Sequence, residues 1–241
     1  MYTCINCGTE LGELYRRYSP SVLKVLKCEK CGALADKYIE YDPAIVLVDL
    51  VLLEKPAYRH LLYNSGFKSY WKLLIALLLG ESFRIWYTVD SNDPESFAAH
   101  SMGHNDGFKR EENFYVLLVH TALSLGAFVC TVIGMTEVRW LIMGRKPRKY
   151  KATDLGRALI VGGFAKLLGL LGIIWRHTSP DLHYALIHGY TVLCLLTAYS
   201  VVCESGRGGS LVGLTGGLLA HTYVSTNAVG LSPAIFNVSL T

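Results

Sequence analysis

The chain changes character near residue 70. Beyond it, apolar residues run in blocks broken by short polar stretches, and a helix needs about 20 such residues to cross a bilayer. Five segments qualify as candidate spans: 70–89, 114–135, 156–175, 184–203 and 209–231. The first carries Arg84 near its middle, at a cost of roughly 3 kcal/mol; Glu81, three residues earlier on the same face, can pair with it. The third carries Lys166, which at such depth faces the bundle or snorkels. The fifth repeats Gly209, Gly213 and Gly217 at every fourth position, a small-residue stripe that lets helices approach. It turns polar after His221, so a re-entrant course is open to it.

Before residue 70 the elements are short. Residues 11–17 and 22–27 flank Ser19-Pro20-Ser21 and read as a hairpin, and the alternation over 35–42 predicts a third strand ended by Pro43. Residues 44–53 are apolar but too short to span, interrupted by Asp49 and closed by Glu54-Lys55-Pro56, which suits an interfacial or re-entrant segment. Behind it, Tyr58, Arg59, His60 and Asn64 punctuate a leucine-containing stretch. Such side chains have apolar bodies and polar tips, so they suit headgroup depth; ordinary packing against the preceding module is the alternative. The expected architecture is an all-α polytopic membrane bundle of about five spans (70–241), an amphipathic segment (44–69) and a small N-terminal β module (1–43).

Composition agrees, with 51% hydrophobic residues and a mean hydropathy of +0.32, high for a soluble protein. The net charge of +4 is no nucleic-acid signature. In the first 43 residues, Arg16, Arg17, Lys24, Lys27, Lys30 and Lys37 are matched by Glu10, Glu13, Glu29, Asp36, Glu40 and Asp42, leaving no excess charge to displace counterions. The N-terminus has neither the charged nor the apolar region of a cleavable signal peptide. A basic run follows the second span, comprising Arg139, Arg145, Lys146, Arg148, Lys149 and Lys151, and such a run marks the cytosolic side. With a cytosolic N-terminus, an even number of crossings must precede it.

Cys4-Ile5-Asn6-Cys7-Gly8 and Cys28-Glu29-Lys30-Cys31-Gly32 make the N-terminal β module (1–43) an expected zinc ribbon. Two Cys-x-x-Cys pairs meet the ligand count and spacing of a closed tetrahedral zinc site, and each following glycine supplies the positive φ that wraps the backbone round the sulfurs. Redox pairs would instead open a helix in a βαβ unit, and no such unit is legible. A module this small builds little core, whereas structural zinc contributes on the order of 10 kcal/mol of folding free energy. Thiolate ligands suit the reducing cytosol. Cys130, Cys194 and Cys203 stand singly in apolar runs, where a thiol is a small hydrophobe. His100 and His104, without a third ligand nearby, read as surface histidines. The sequon at Asn237 lies too near the end of the sequence to expect its use.

The double knuckle, then residues 13–16, 35–42 and 57–64 in that order, resembles the homology domain of the Arv family over residues 1–65, with further likeness at 166–168 and 173–175. The resemblance implies a multi-pass endoplasmic-reticulum membrane protein of sterol and sphingolipid homeostasis, also concerned with glycosylphosphatidylinositol intermediates. It implies no reaction. Two roles follow. In the first, a non-catalytic lipid handler contacts sterol or glycolipid through Tyr58, Arg59, His60, Asn64, Glu81, Arg84 and Lys166. In the second, a zinc-ribbon adaptor docks the subunits of a membrane glycosyltransferase complex. An embedded enzyme would need a nucleophile or base in a recognisable setting, and no such motif is legible.

Overall fold

The structure, a computed structural model, describes residues 2–19, 22–66, 69–91, 105–144, 147, 150–174, 180–203 and 207–229. The N-terminal head holds two small antiparallel sheets. Strands β1 (Tyr2–Thr3) and β2 (Glu10–Leu11) pair across the first knuckle, and β3 (Tyr15–Ser19) and β4 (Val22–Val25) form the expected hairpin with a register shift between Arg17 and Ser19. The β1–β2 pair was not legible beforehand. The predicted third strand over 35–42 is absent: Lys37–Ile39 forms a 3-10 turn. Its cause is local, because the Asp36 side chain accepts a hydrogen bond from the Tyr38 amide and curls the backbone into a cap where alternation alone favoured extension.

Pro43 begins the next helix instead of merely ending a strand. Helix α1 (Pro43–Val51) has Asp42 as its N-cap, bonded to Ala44 N, with proline in the first turn where no amide partner is needed. It ends at Leu53, whose φ of 63° is unusual for a residue other than glycine. Helix α2 (Lys55–Arg59) continues into a π-helical turn, His60–Asn64.

The bundle comprises α3 (Tyr70–Ser91), α4 (Asn105–Met143), α5 (Ala152–Gly162), a 3-10 segment (Gly163–Leu168), α6 (Gly169–Ile174), α7 (Pro180–Cys203) and α8 (Arg207–Val229). Among the described residues, three stretches are long and apolar enough to cross a membrane, Phe114–Met143, Ala152–Ile173 and Leu182–Cys203, which makes this a multi-pass membrane protein. Three stretches, not the expected five or so, meet both criteria among the described residues. The first and last candidates are full-length helices, but Lys72, Glu81 and Arg84 in α3, and the serines, threonines, His221 and Asn227 of α8, make them too polar to qualify. Arg139, expected in a loop, lies within α4, its guanidinium 4.4 Å from the centre of the Trp140 ring. Arg145, Lys146, Arg148 and Lys149, the histidines at 100 and 104, and the sequon lie outside the described residues. Cys194 and Cys203 are buried as expected; Cys130 is exposed.

Glycines set the closest helix approaches. A Cβ on Gly162 would meet Leu195 Cα at 3.1 Å and Cys194 O at 3.2 Å, so α5 lies almost on the α7 backbone. From the α8 stripe, Gly213 faces Tyr199 of α7, and a Cβ on Gly217 would overlap Val132 of α4. Tyr199, fully buried, shares a 2.9 Å hydrogen bond with Thr136. One apolar core runs without a break from Ile5 and Tyr38 in the head through Ala57, Tyr58 and Leu62 to Val132, Leu155 and Val202 in the bundle.

Two glycine substitutions separate packing from propensity. Gly217→Leu should destabilise the bundle by about 1–3 kcal/mol through overpacking. Gly126→Ala, with nothing within 4 Å of its would-be Cβ, should be neutral or gain up to about 1 kcal/mol of helix propensity. Thermal unfolding of each variant in one detergent measures both.

Candidate functional site

The head closes on its cysteines. Gly8 and Gly32 adopt φ of 76° and 72°, as the spacing predicts. The two knuckles repeat one hydrogen-bond pattern: Gly8 N to Cys4 O (2.9 Å) and Cys4 N to Thr9 O (2.8 Å) in the first, Gly32 N to Cys28 O and Cys28 N to Ala33 O (both 2.8 Å) in the second. The Sγ atoms of Cys4, Cys7, Cys28 and Cys31 all lie within 4.8 Å of one another, with Cys4 to Cys31 at 3.7 Å and Cys7 to Cys28 at 3.6 Å. A zinc–sulfur bond of about 2.3 Å implies tetrahedral S–S edges of about 3.8 Å. The four sulfurs therefore fit a tetrahedral metal ion, with one pair contributed by each knuckle. The Thr9 hydroxyl, 3.2 Å from Cys7 Sγ, holds that thiol down to about 6, toward the thiolate a metal requires, whereas burial pushes Cys4 up to about 12.

Asp36 joins this module to the membrane region. Its carboxylate is fully buried and accepts from Tyr38 N (3.0 Å), His60 Nδ1 (2.7 Å) and Asn64 Nδ2 (2.7 Å). Asn64 also binds both backbone groups of Thr3, accepting from N at 2.8 Å and donating to O at 2.7 Å, as a neighbouring strand would. Arg59 Nη1 donates to Ile5 O (2.9 Å) and Asn6 O (2.6 Å), inside the first knuckle. Tyr58 turns the other way, fully buried beside Cys194 and Tyr190 of α7. The structure thus brings Tyr58, Arg59, His60 and Asn64 together at the seam between head and bundle, with the polar groups of Arg59, His60 and Asn64 bonded within the chain. A second tie secures α1: Asp49 accepts from Tyr38 Oη (2.7 Å) and Lys37 Nζ (3.1 Å), and these two, the tyrosine first, hold its carboxyl below the usual carboxylate range.

Glu81, Arg84 and Lys166 converge inside the bundle. Arg84 reaches back one helical turn to Glu81, Nη2 to Oε1 at 2.9 Å and Nε to Oε2 at 3.3 Å, the pair expected from the spacing. Lys166, far away in sequence, places Nζ 3.7 Å from the same Oε1. Two close approaches make this possible. A Cβ on Gly80 would meet Leu167 Cδ2 at 2.8 Å, and one on Gly169 would meet Arg84 Cδ at 3.1 Å, so α3 lies hard against the 3-10 segment and α6.

The three charges line a cavity of about 650 Å³, within the size range of small-molecule sites. Its apolar wall includes Leu77, Leu125, Phe128, Leu159 and Leu195. Tyr184 and His188, stacked at 6.1 Å, are exposed where the cavity opens along α7. His183, also in the lining, was missed in the sequence. A signal was present, since His183, Tyr184, His188 and Thr191 recur at helical spacing along an otherwise apolar span.

The sequence profile of the Arv1-like family matches residues 3–199. Protein ARV1 of Bos taurus is 32% identical over 225 residues, covering 92% of this chain and 76% of the bovine protein. Protein ARV1 of Homo sapiens is 32% identical over 227 residues, covering 92% and 80% respectively, and that of Candida albicans is 25% identical over 272 residues, covering 97% and 90%. No solved structure matches.

Two measurements address the head. Elemental analysis of the purified protein should find a single zinc ion per chain, reduced to background in Cys28→Ser. Asp36→Ala strands buried donors and should destabilise the head by about 3 kcal/mol. A lowered urea midpoint for metal release, detected with a chromogenic chelator, would register this, with exposed Glu40→Ala as the unchanged control.

Proposed function

Because the chain belongs to the Arv1-like family, we propose that it is a non-catalytic lipid-handling protein of the endoplasmic-reticulum membrane, acting in sterol distribution, sphingolipid balance and the handling of glycosylphosphatidylinositol intermediates. The observation that carries this reading is the cavity. It is walled by parts of all three apolar stretches together with α3 and α8, is apolar along most of its lining and is charged at one end. A lipid has that division of character. The head is a zinc ribbon on this reading, and its bound metal makes it a rigid cap. Tyr58, Arg59, His60 and Asn64 serve lipid handling by seating that cap, and Glu81, Arg84 and Lys166 by meeting the ligand.

The cap is cytosolic on this reading, which requires α3 to cross as well as α4, so that two crossings precede the basic run. Supporting this, Tyr70 Oη bonds Leu61 O at 2.9 Å and the Arg157 guanidinium sits 5.4 Å from the Tyr70 ring, so the seam lies at the same end of the bundle as the start of α5, next to the basic run. Helix α1 rests in the headgroup layer, with Leu47, Val48 and Leu52 exposed on its outer face. A second reading, a zinc-ribbon adaptor of a membrane glycosyltransferase complex, draws support from Tyr18, Leu34 and Tyr41, all exposed on the head.

Purification in mild detergent separates the two. A lipid-loaded chain without stoichiometric protein supports the handler, and a stoichiometric membrane-protein partner supports the adaptor. In cells lacking the protein, a variant with Arg84→Ala and Lys166→Ala should fail to restore normal lipid profiles while keeping expression and zinc content; restored profiles would remove the cavity from the function. Tags before Cys4 and beside Lys149 should both report the cytosol, and opposite faces would overturn the orientation.

A further inference from the structure

Resting on the lipid-handling reading, we infer that the cavity selects a lipid with an anionic phosphate-ester headgroup, bound by Arg84 and Lys166 on the side of the membrane away from the cysteine head. The charge count comes first. Among the described residues, Glu81 is the carboxylate paired with both Arg84 and Lys166, so two cations share one anion. Their side chains are only 20% and 27% exposed, and a surplus positive charge at that depth is costly until an anion neutralises it.

The donors point the same way. Arg84 uses Nε and one Nη2 hydrogen on Glu81, leaving three of its five N–H groups. Lys166, at 3.7 Å from Glu81, is beyond hydrogen-bond distance and keeps its three. Phosphate oxygens are suited to such a paired arginine and lysine. His183, whose ring packs where Gly172 lacks a side chain, brings to the same lining a buried Nε2 without a hydrogen-bond partner among the described residues.

The shape then separates lipid from free anion. From Tyr184 to Leu195 the α7 wall rises about 16 Å, enough to hold a length of hydrocarbon chain behind the charges. Leu77, Leu125, Phe128, Leu159 and Leu195 give that part an apolar surface for which inorganic phosphate has no use. A sterol would fill the apolar part but leave the surplus charge unanswered, and a metal cation would be repelled by it. With α3 crossing, as the proposed topology requires, Arg84 lies about 21 Å along it from Tyr70, which touches the head seam, and the charged end sits in the opposite leaflet.

The test uses the full-length protein in nanodiscs of phosphatidylcholine containing a minority of either phosphatidylglycerol or cholesterol, with retained lipid read by native mass spectrometry. Phosphatidylglycerol should be retained in preference to phosphatidylcholine, and Arg84→Gln and Lys166→Gln should each reduce that preference about tenfold. Arg84→Lys should keep most of it. Glu81→Gln removes the competing carboxylate and should strengthen retention, an effect that misfolding would not produce. Excess inorganic phosphate should leave the lipid bound. Equal retention of both phospholipids, preferential retention of cholesterol, displacement by phosphate or indifference to the arginine and lysine changes would each overturn the inference while leaving lipid handling in place. Retention of no lipid by the unaltered protein would overturn both.

Discussion

A single buried carboxylate holds the two halves of this molecule together. Asp36 belongs to the cysteine head, yet two of its three hydrogen bonds go to His60 and Asn64, on the helical turn that leads into the membrane. Full burial forbids water as a substitute partner, so removing any donor leaves the charge poorly compensated. Arg59 and Asn64 add bonds to the first knuckle, and the apolar core passes through the same seam. Head and bundle are therefore one packed unit, so order in the knuckles is transmitted to the first membrane-proximal helices.

Within the bundle, packing and charge are solved together. Helix α3 is too polar to count as a span by composition, but Gly80 and Gly169 draw it close enough to α6 and the 3-10 segment for Glu81 to meet both cations. Charges that would each be expensive facing lipid are tolerable around a shared cavity. The same closeness leaves the cavity lined by atoms of several helices, so its polar end exists only when the bundle is assembled.

Features carried by local spacing were legible in the sequence. The cysteine pairs with their glycines, the β3–β4 hairpin and the Glu81–Arg84 pair each depend on residues a few positions apart. What could not be read depended on side chains acting across distance. Alternation over 35–42 suggested a strand because a backbone pattern does not reveal that Asp36 will cap a turn. Arg59 and His60 look equally suited to a headgroup or to a buried seam, and only the position of Ile5, Asn6 and Asp36 decides their hydrogen bonds. Lys166 reads as an isolated buried charge until the fold brings Glu81 beside it. Hydropathy was also ambiguous for α3 and α8, whose helical length was clear but whose polar content admitted more than one environment.

The six-residue 3-10 segment at Gly163–Leu168 changes the geometry of the helix that contains it. At about 2.0 Å per residue instead of 1.5 Å, it lengthens this span by about 3 Å, and at three residues per turn it rotates everything after it by about 120° relative to an unbroken α-helix. A helical wheel drawn continuously from Ala152 to Ile174 would consequently assign α6 to the wrong azimuth. Assigning α6 to a face of the bundle requires the phase to be advanced progressively across Gly163–Leu168.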